Sequence, residues 1–264
     1  MNIVLNDLYR YPVKSSRGES LTSVQVSVRG LLHDRHWMLV NDAGRFLTQR
    51  ELPQMVLIRP RVVASGLKLS APGMSDLEAQ PDSEEELTVQ IWRDQCTARV
   101  MSLAADQWLS EFLGVSCRLV YLPREQTRQV DQDYATSTDE VGFADGFPFL
   151  LISRASLDDL NRRMGLTLPM ERFRPNLVVE GSEAYAEDNW KRIRIGELEF
   201  RVVKPCSRCV IPTINPETGE RTGNEPLKTL MRYRKQGNSV YFGQNLIHDG
   251  QGRLETGMPV EILE

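Results

Sequence analysis

Histidine and cysteine are scarce, three and four in 264 residues. Four cysteines in so long a chain do not make the dense disulfide framework of a small secreted domain. The thiols are therefore expected to be free or metal-bound in a reducing cytoplasm. No apolar run approaches the ~20 residues of a membrane helix, so no membrane span is expected. Residues 1–7 have no basic start, long apolar stretch or Arg-rich character, so neither a signal nor a transit peptide is expected there. Basic charge is not in excess either. A formal net charge of −4 argues against a general nucleic-acid binder but leaves room for a local basic pocket. There is no internal repeat, and the acidic stretch 83–86 is the one biased segment.

The chain does contain many short alternating runs broken by Gly and Pro. Strands are expected at 24–28, 37–40, 46–48, 55–58, 61–64, 67–70, 87–91, 97–100 and 118–122. Asn41-Asp42-Ala43-Gly44 reads as a hairpin turn, and 71–86 as an exposed acidic loop. Ser102 and Gly114 bracket a helix over 103–113; Ser153 and Gly165 bracket another over 154–164. Further strands are expected at 149–152, 177–179, 193–195, 198–203, 240–242, 245–248 and 260–263, with Pro226 as the first residue of a short helix to 234. The fold class is mixed, a β-rich α+β chain. Its division falls near the polar segment 123–146, giving units 1–122 and 123–264.

Lys204-Pro205-Cys206-Ser207-Arg208-Cys209 places two thiols where a strand runs into a loop. Pro205 is expected to end the ladder, and Pro212 and Pro216 oppose a long helix beyond it. The neighbouring cations favour thiolate, the form that binds metals. Spacing alone leaves four readings. They are a zinc site short of ligands, a thioredoxin-like pair without its helix, inert core cysteines, or one metal-binding thiolate with a supporting thiol.

Four other clusters carry chemistry. Tyr11-Pro12-Val13-Lys14-Ser15-Ser16-Arg17-Gly18 could cradle a phosphate, or be a polar turn. In His33-Asp34-Arg35-His36-Trp37, Arg35 is an anion ligand or half of a surface ion pair. Glu171-Arg172-Phe173-Arg174-Pro175-Asn176 offers an Arg fork and an amide suited to a heterocycle edge, or is a plain loop. In Asp145-Gly146-Phe147-Pro148, Asp145 could serve as an acid or base, or simply make a turn.

Taken in order, Tyr11 to Ser15, Asp34 to Trp37, Ala155 to Asn161, Phe173 to Asn176 and Cys206 to Cys209 resemble the motifs of MOSC proteins with an N-terminal β-barrel domain. That group includes the mitochondrial amidoxime-reducing component. Phe242-Gly243-Gln244 is similar to another family segment. The resemblance spans essentially the whole chain and implies an N-terminal MOSC β-barrel domain packed on a MOSC β-barrel domain with a few helices. It also implies molybdenum cofactor, a pterin dithiolene bearing a phosphate (Mo-molybdopterin). Cys209 would be the metal ligand, and Lys14, Ser15, Arg35, Arg174, Asn176, Ser207 and Arg208 would hold phosphate and pterin. Asp145 would be the acidic residue near the metal and the local acid. Gly146 and Phe147 stand where the mitochondrial relatives carry small hydroxyl residues, so contacts there would come from backbone.

The implied reaction is two-electron reduction of N-hydroxylated small molecules: hydroxylamines, amidoximes and N-hydroxylated bases. No C-x4-C-x2-C ferredoxin spacing is present, so a separate flavoprotein or iron–sulfur protein is the expected electron donor. The rival reading is a sulfur carrier that accepts persulfide on Cys206 or Cys209. A desulfurase domain of the kind that accompanies MOSC domains in cofactor sulfurases is not expected in these 264 residues.

Overall fold

The computed structural model describes residues 2–264. Its largest sheet has nine strands. In order across the sheet they are Val260–Ile262, Arg192–Ile195, Leu198–Ser207, Ser239–His248, Phe149–Ser153, Leu177–Glu180, Val4–Arg10 and Glu19–Leu21, with Lys235–Gln236 folded onto Ser239–His248. Period-two alternation selects the buried face: Ile193 and Ile195 are fully buried while Arg192 and Arg194 point outward. Leu5, Leu8, Leu177, Val179, Phe149, Phe200 and Leu246 join them in one core. The pair Phe149–Ser153 and Leu177–Glu180 is parallel. It is connected through helix α1 (Arg154–Met164), the kind of crossover parallel strands need.

Three smaller sheets complete the molecule. They are Trp37–Val40, Arg118–Tyr121, Asp94–Val100 and Glu86–Ile91; Gly252–Glu255, Ser23–Ser27 and Gly30–Leu31; and Arg59–Val63, Gly66–Ser70 and Leu77–Ala79. The first and third cover two further cores, and the helix Leu103–Leu113 packs into one of them, beside Leu39, Leu67, Leu69 and Leu119. The strands at 4–31 pair with those of the second half, crossing in space the sequence division expected at 122/123.

Both long helices start and stop at the expected caps. Ser102 accepts from Ala105 N–H and Ser153 from Ser156 N–H, while Gly114 and Gly165 close the helices with φ of 67° and 65°. Five other expectations need correction. Residues 55–58 are not a strand; Pro53 starts the 3-10 turn Pro53–Leu57, which buries Met55 and Val56. A short buried apolar run reads the same either way. Within 71–86, Leu77–Ala79 pairs with Gly66–Ser70. Residues 46–48 form only an isolated bridge, Val40 to Phe46. Pro205 does not end its strand, which continues to Ser207 through register shifts on either side of it, the usual way a sheet tolerates proline.

The expected pair 240–242 and 245–248 is one strand, Ser239–His248, running through Gly243 at φ 79°. A Cβ on Gly243 would stand 2.6 Å from Ile152 Cγ1 and 2.8 Å from the Leu151 carbonyl. Gly243→Ala should therefore lower unfolding stability by about 2–4 kcal/mol, through strain plus overpacking. A urea midpoint equal to that of the native chain would refute this.

Candidate active site

A cleft of about 1510 Å³ opens where the strand end Lys204 to Ser207 meets the loops of the N-terminal half. All eleven residues singled out from sequence line it: Lys14, Ser15, Arg35, Asp145, Gly146, Phe147, Arg174, Asn176, Ser207, Arg208 and Cys209. Nine lysines and arginines face four aspartates in its lining, although the whole chain carries a net charge of −4. Such a concave, cation-lined surface focuses a positive potential on whatever enters.

Backbone strain is concentrated here as well. Among the described residues six non-glycine positions have positive φ, and four of them, Ser15, Arg35, Trp92 and Arg174, line the cleft. Strain of this kind persists where surrounding contacts over-determine it, typically at binding sites. At Arg35 the contacts are specific. Nη1 donates to Asp34 Oδ2 at 2.5 Å and to Asn176 Oδ1 at 3.0 Å, and Nη2 to the Arg174 carbonyl at 3.3 Å. The guanidinium groups of Arg35 and Arg174 lie 4.2 and 4.3 Å from the Tyr11 ring centroid. Arg174 also donates to the Ser16 carbonyl at 2.6 Å. Burial, together with the neighbouring Arg35, pushes the Arg174 pKa down to about 10. The Asp34–Arg35 pair is buried, unlike the surface pair that sequence alone allowed.

Asn176 does not present a free amide edge. Its Oδ1 accepts from Arg35 and from Leu150 N–H, and its Nδ2 donates to the Tyr9 carbonyl. Both ends are engaged within the protein, and the side chain acts by positioning Arg35. Arg208 donates from Nε and Nη2 to the Phe242 carbonyl and from Nη1 to the Phe173 carbonyl. Two of its five N–H groups remain for a ligand. Ser207 is exposed at the strand end, and a Cβ on Gly146 would meet open space. Phe147 packs edge-on against Tyr134, with the Lys204 ammonium over both rings.

Lys14 is buried, donating to the Phe143 carbonyl at 2.7 Å and to Asp145 Oδ1 at 2.5 Å. Burial drives its pKa down and Asp145 partly restores it, leaving it at about 8. For Asp145, burial alone would raise the pKa. Lys14, Arg50 and the Trp92 indole outweigh it and hold the carboxyl well below its usual range. Asp145 is therefore ionised at neutral pH, the wrong state for the proton donor expected from sequence.

The two thiols sit in different surroundings. Cys206 packs against the apolar cluster of Phe173, Leu230 and Phe242, and burial raises its pKa. Cys209 lies past the strand end and lines the cleft together with Arg50. Among the described residues no three His, Cys, Asp or Glu side chains gather to hold a metal ion. Cys209 would bind a metal only together with ligands that the metal brings.

The sequence reading passed over Arg50 and Trp92. Arg50 Nη2 donates to Asp145 Oδ2 at 3.2 Å, its guanidinium lies 4.7 Å from the Trp92 ring centroid, and Trp92 Nε1 donates to Asp145 Oδ1 at 3.2 Å. Neither stands in a motif. Their only local signal is that Trp92 is a large apolar residue in a turn.

Two family matches cover this architecture: "MOSC N-terminal beta barrel domain" at residues 2–116 and "MOSC domain" at 138–261. The chain belongs to the MOSC family. It is 35% identical to mitochondrial amidoxime-reducing component 1 of Mus musculus, over 97% of this chain and 81% of that protein. Against the Homo sapiens protein of the same name it is 34% identical, covering 97% and 82%. It is also 32% identical to the molybdenum cofactor sulfurase of Oryza sativa subsp. japonica, over 97% of this chain but 34% of that longer protein.

The charge of Lys14 makes anion binding pH-dependent. Its pKa falls from the usual 10.5 to about 8, so it loses its proton, and its attraction for anions, as pH rises through 8. Calorimetric titration with sulfate, which does not itself titrate in this range, should show affinity falling between pH 7 and 9, a step that Lys14→Met removes. Affinity in the native protein that stays flat through pH 8 would contradict the assignment.

Proposed function

We propose that this MOSC-family chain is a molybdenum-cofactor-dependent reductase of N-hydroxylated compounds, with hydroxylamines, amidoximes and N-hydroxylated bases as substrates. One observation carries the reading: a partly exposed thiol, Cys209, opens into a cleft whose cations outnumber its acids. That donor set fits a soft metal centre that brings its own dithiolene ligands and carries a phosphate. The relatives named as amidoxime-reducing components support it over nearly the full chain.

In this reading Cys209 binds the metal through sulfur. Lys14, Ser15, Arg35 and Arg174, with the free N–H groups of Arg208, hold the phosphate and pterin. Ser207 and the backbone at Gly146 and Phe147 complete the cradle, and Asn176 supports it through Arg35. When bound, the cofactor supplies the two electrons that break an N–O bond. The balance is R–NHOH plus two electrons and two protons giving R–NH2 and water. Lys14, with a pKa of about 8, is the group that can release a proton near neutrality. Asp145, held ionised beside it, keeps Lys14 charged until that proton is given up, and Lys14 then regains one from solvent. Electrons come from a separate flavoprotein or iron–sulfur protein.

The test is the metal and pterin content of the purified protein, followed by benzamidoxime reduction with a chemical reductant. Cys209→Ala should lose at least 100-fold in turnover, whereas Cys206→Ser should keep its molybdenum and most of its activity. Molybdenum-loaded protein that leaves benzamidoxime and N-hydroxylated purines unchanged overturns the proposal. Transferable sulfane sulfur on Cys209 without molybdenum would establish the sulfur-carrier alternative instead.

A further inference from the structure

Among the described residues, Arg172 is the cleft cation with a buried N–H left without an acceptor. Arg172 is 9% exposed, and its Nε is buried without an acceptor. Burial lowers its pKa, and among the described residues it makes no ion pair. Its one hydrogen bond among the described residues runs from Nη1 to the Pro212 carbonyl, at a long 3.3 Å. A guanidinium carries five N–H donors, and a buried cation that leaves most of them idle is costly unless something else uses them. The side chain lines the cleft, so a ligand entering there meets it.

Arg172 is separate from the cluster assigned to the phosphate. Arg174, two residues on, turns toward Ser16 and the Tyr11 ring. Arg172 turns the other way, toward Pro212, three residues beyond Cys209. The left-handed backbone at Arg174 accompanies this divergence. The turn Ile211–Thr213 packs against the Arg172 segment, and Ile211, Pro212, Leu227 and Met231 add apolar surface to the same cleft, the last 50% exposed. An apolar wall around one desolvated guanidinium is complementary to an anion on an apolar body. A planar fork of donors favours a carboxylate, which it can pair in bidentate fashion.

We propose that Arg172, with Ile211, Leu227 and Met231, forms a substrate subsite for a carboxylate carried on an apolar or aromatic body. The inference rests on the reductase reading for its substrate but not for its binding chemistry. The chain would then favour N-hydroxylated acids over neutral compounds of the same shape.

The experiment uses the molybdenum-loaded protein with two arms. In the first, benzoate is titrated calorimetrically, without turnover. The native protein should bind it, Arg172→Gln should weaken binding at least tenfold, and Arg172→Lys should fall between, keeping the charge without the fork. In the second, KM is compared for benzamidoxime and 4-carboxybenzamidoxime. Arg172→Gln should raise the KM of the carboxylated substrate at least tenfold more than that of the neutral one, with pterin content retained. Benzoate binding equal in native and variant proteins overturns the proposal. So does loss of pterin in Arg172→Gln, which would assign the residue to the cofactor. If neither amidoxime is reduced by native protein, the reductase reading fails, and the benzoate arm still decides the subsite. Should Arg172→Gln not fold, benzoate affinity of Arg172→Lys equal to native counts against the fork.

Discussion

Two guanidinium groups, those of Arg35 and Arg174, are held against one phenol ring, and the rest of the cleft depends on this arrangement. Like charges so close repel, and Arg35 helps push the Arg174 pKa down. The negative face of the Tyr11 ring offsets part of that repulsion, as do Asp34 and the Ser16 and Arg174 carbonyls. Tyr11 is itself fixed at both ends: its N–H donates to Asp34 and its hydroxyl to the Pro175 carbonyl. The positive φ angles at Arg35 and Arg174 are the backbone consequence. One carboxylate for two arginines leaves the arrangement short of negative charge, and an entering anion supplies it.

The same arrangement ties distant parts of the chain together. The turn after Val4–Arg10 and the segment at 34–35 belong to the first family match, while 174–176 belongs to the second. The cleft therefore lies between the two halves of the sequence. The strands at 4–31, which pair with the later sheets, bring them into register.

Much of this was legible in the sequence because its signals are local. Ser102 with Gly114 and Ser153 with Gly165 mark helix ends through bonds that span three or four residues. The charged motifs stood out because Lys, Arg and Cys cluster within six or eight positions. What was missed is long-range. Arg50 and Trp92 enter the site only because their loops fold over Asp145, which follows them by 95 and 53 positions. Asn176 looked like a ligand because its partners, Tyr9 and Arg35, lie far off in sequence. Pro205 looked like a strand end because a register shift depends on the partner strand.

The role of Asp145 changes most once its neighbours are known. An acidic residue beside a redox centre suggests a proton donor, but Lys14, Arg50 and an indole N–H together stabilise its anion. Its effect runs outward instead. Burial alone would drive the Lys14 pKa down, and the contact with Asp145 is the largest influence opposing that. Without the carboxylate, Lys14 would lose its charge at a lower pH, and the cleft would lose a cation where an anion is to be bound. Asp145 therefore keeps Lys14 protonated near neutrality, so that the ammonium can both attract an anion and yield a proton. A cleft lined mainly by cations thus depends on one of its few aspartates for the charge of its buried lysine.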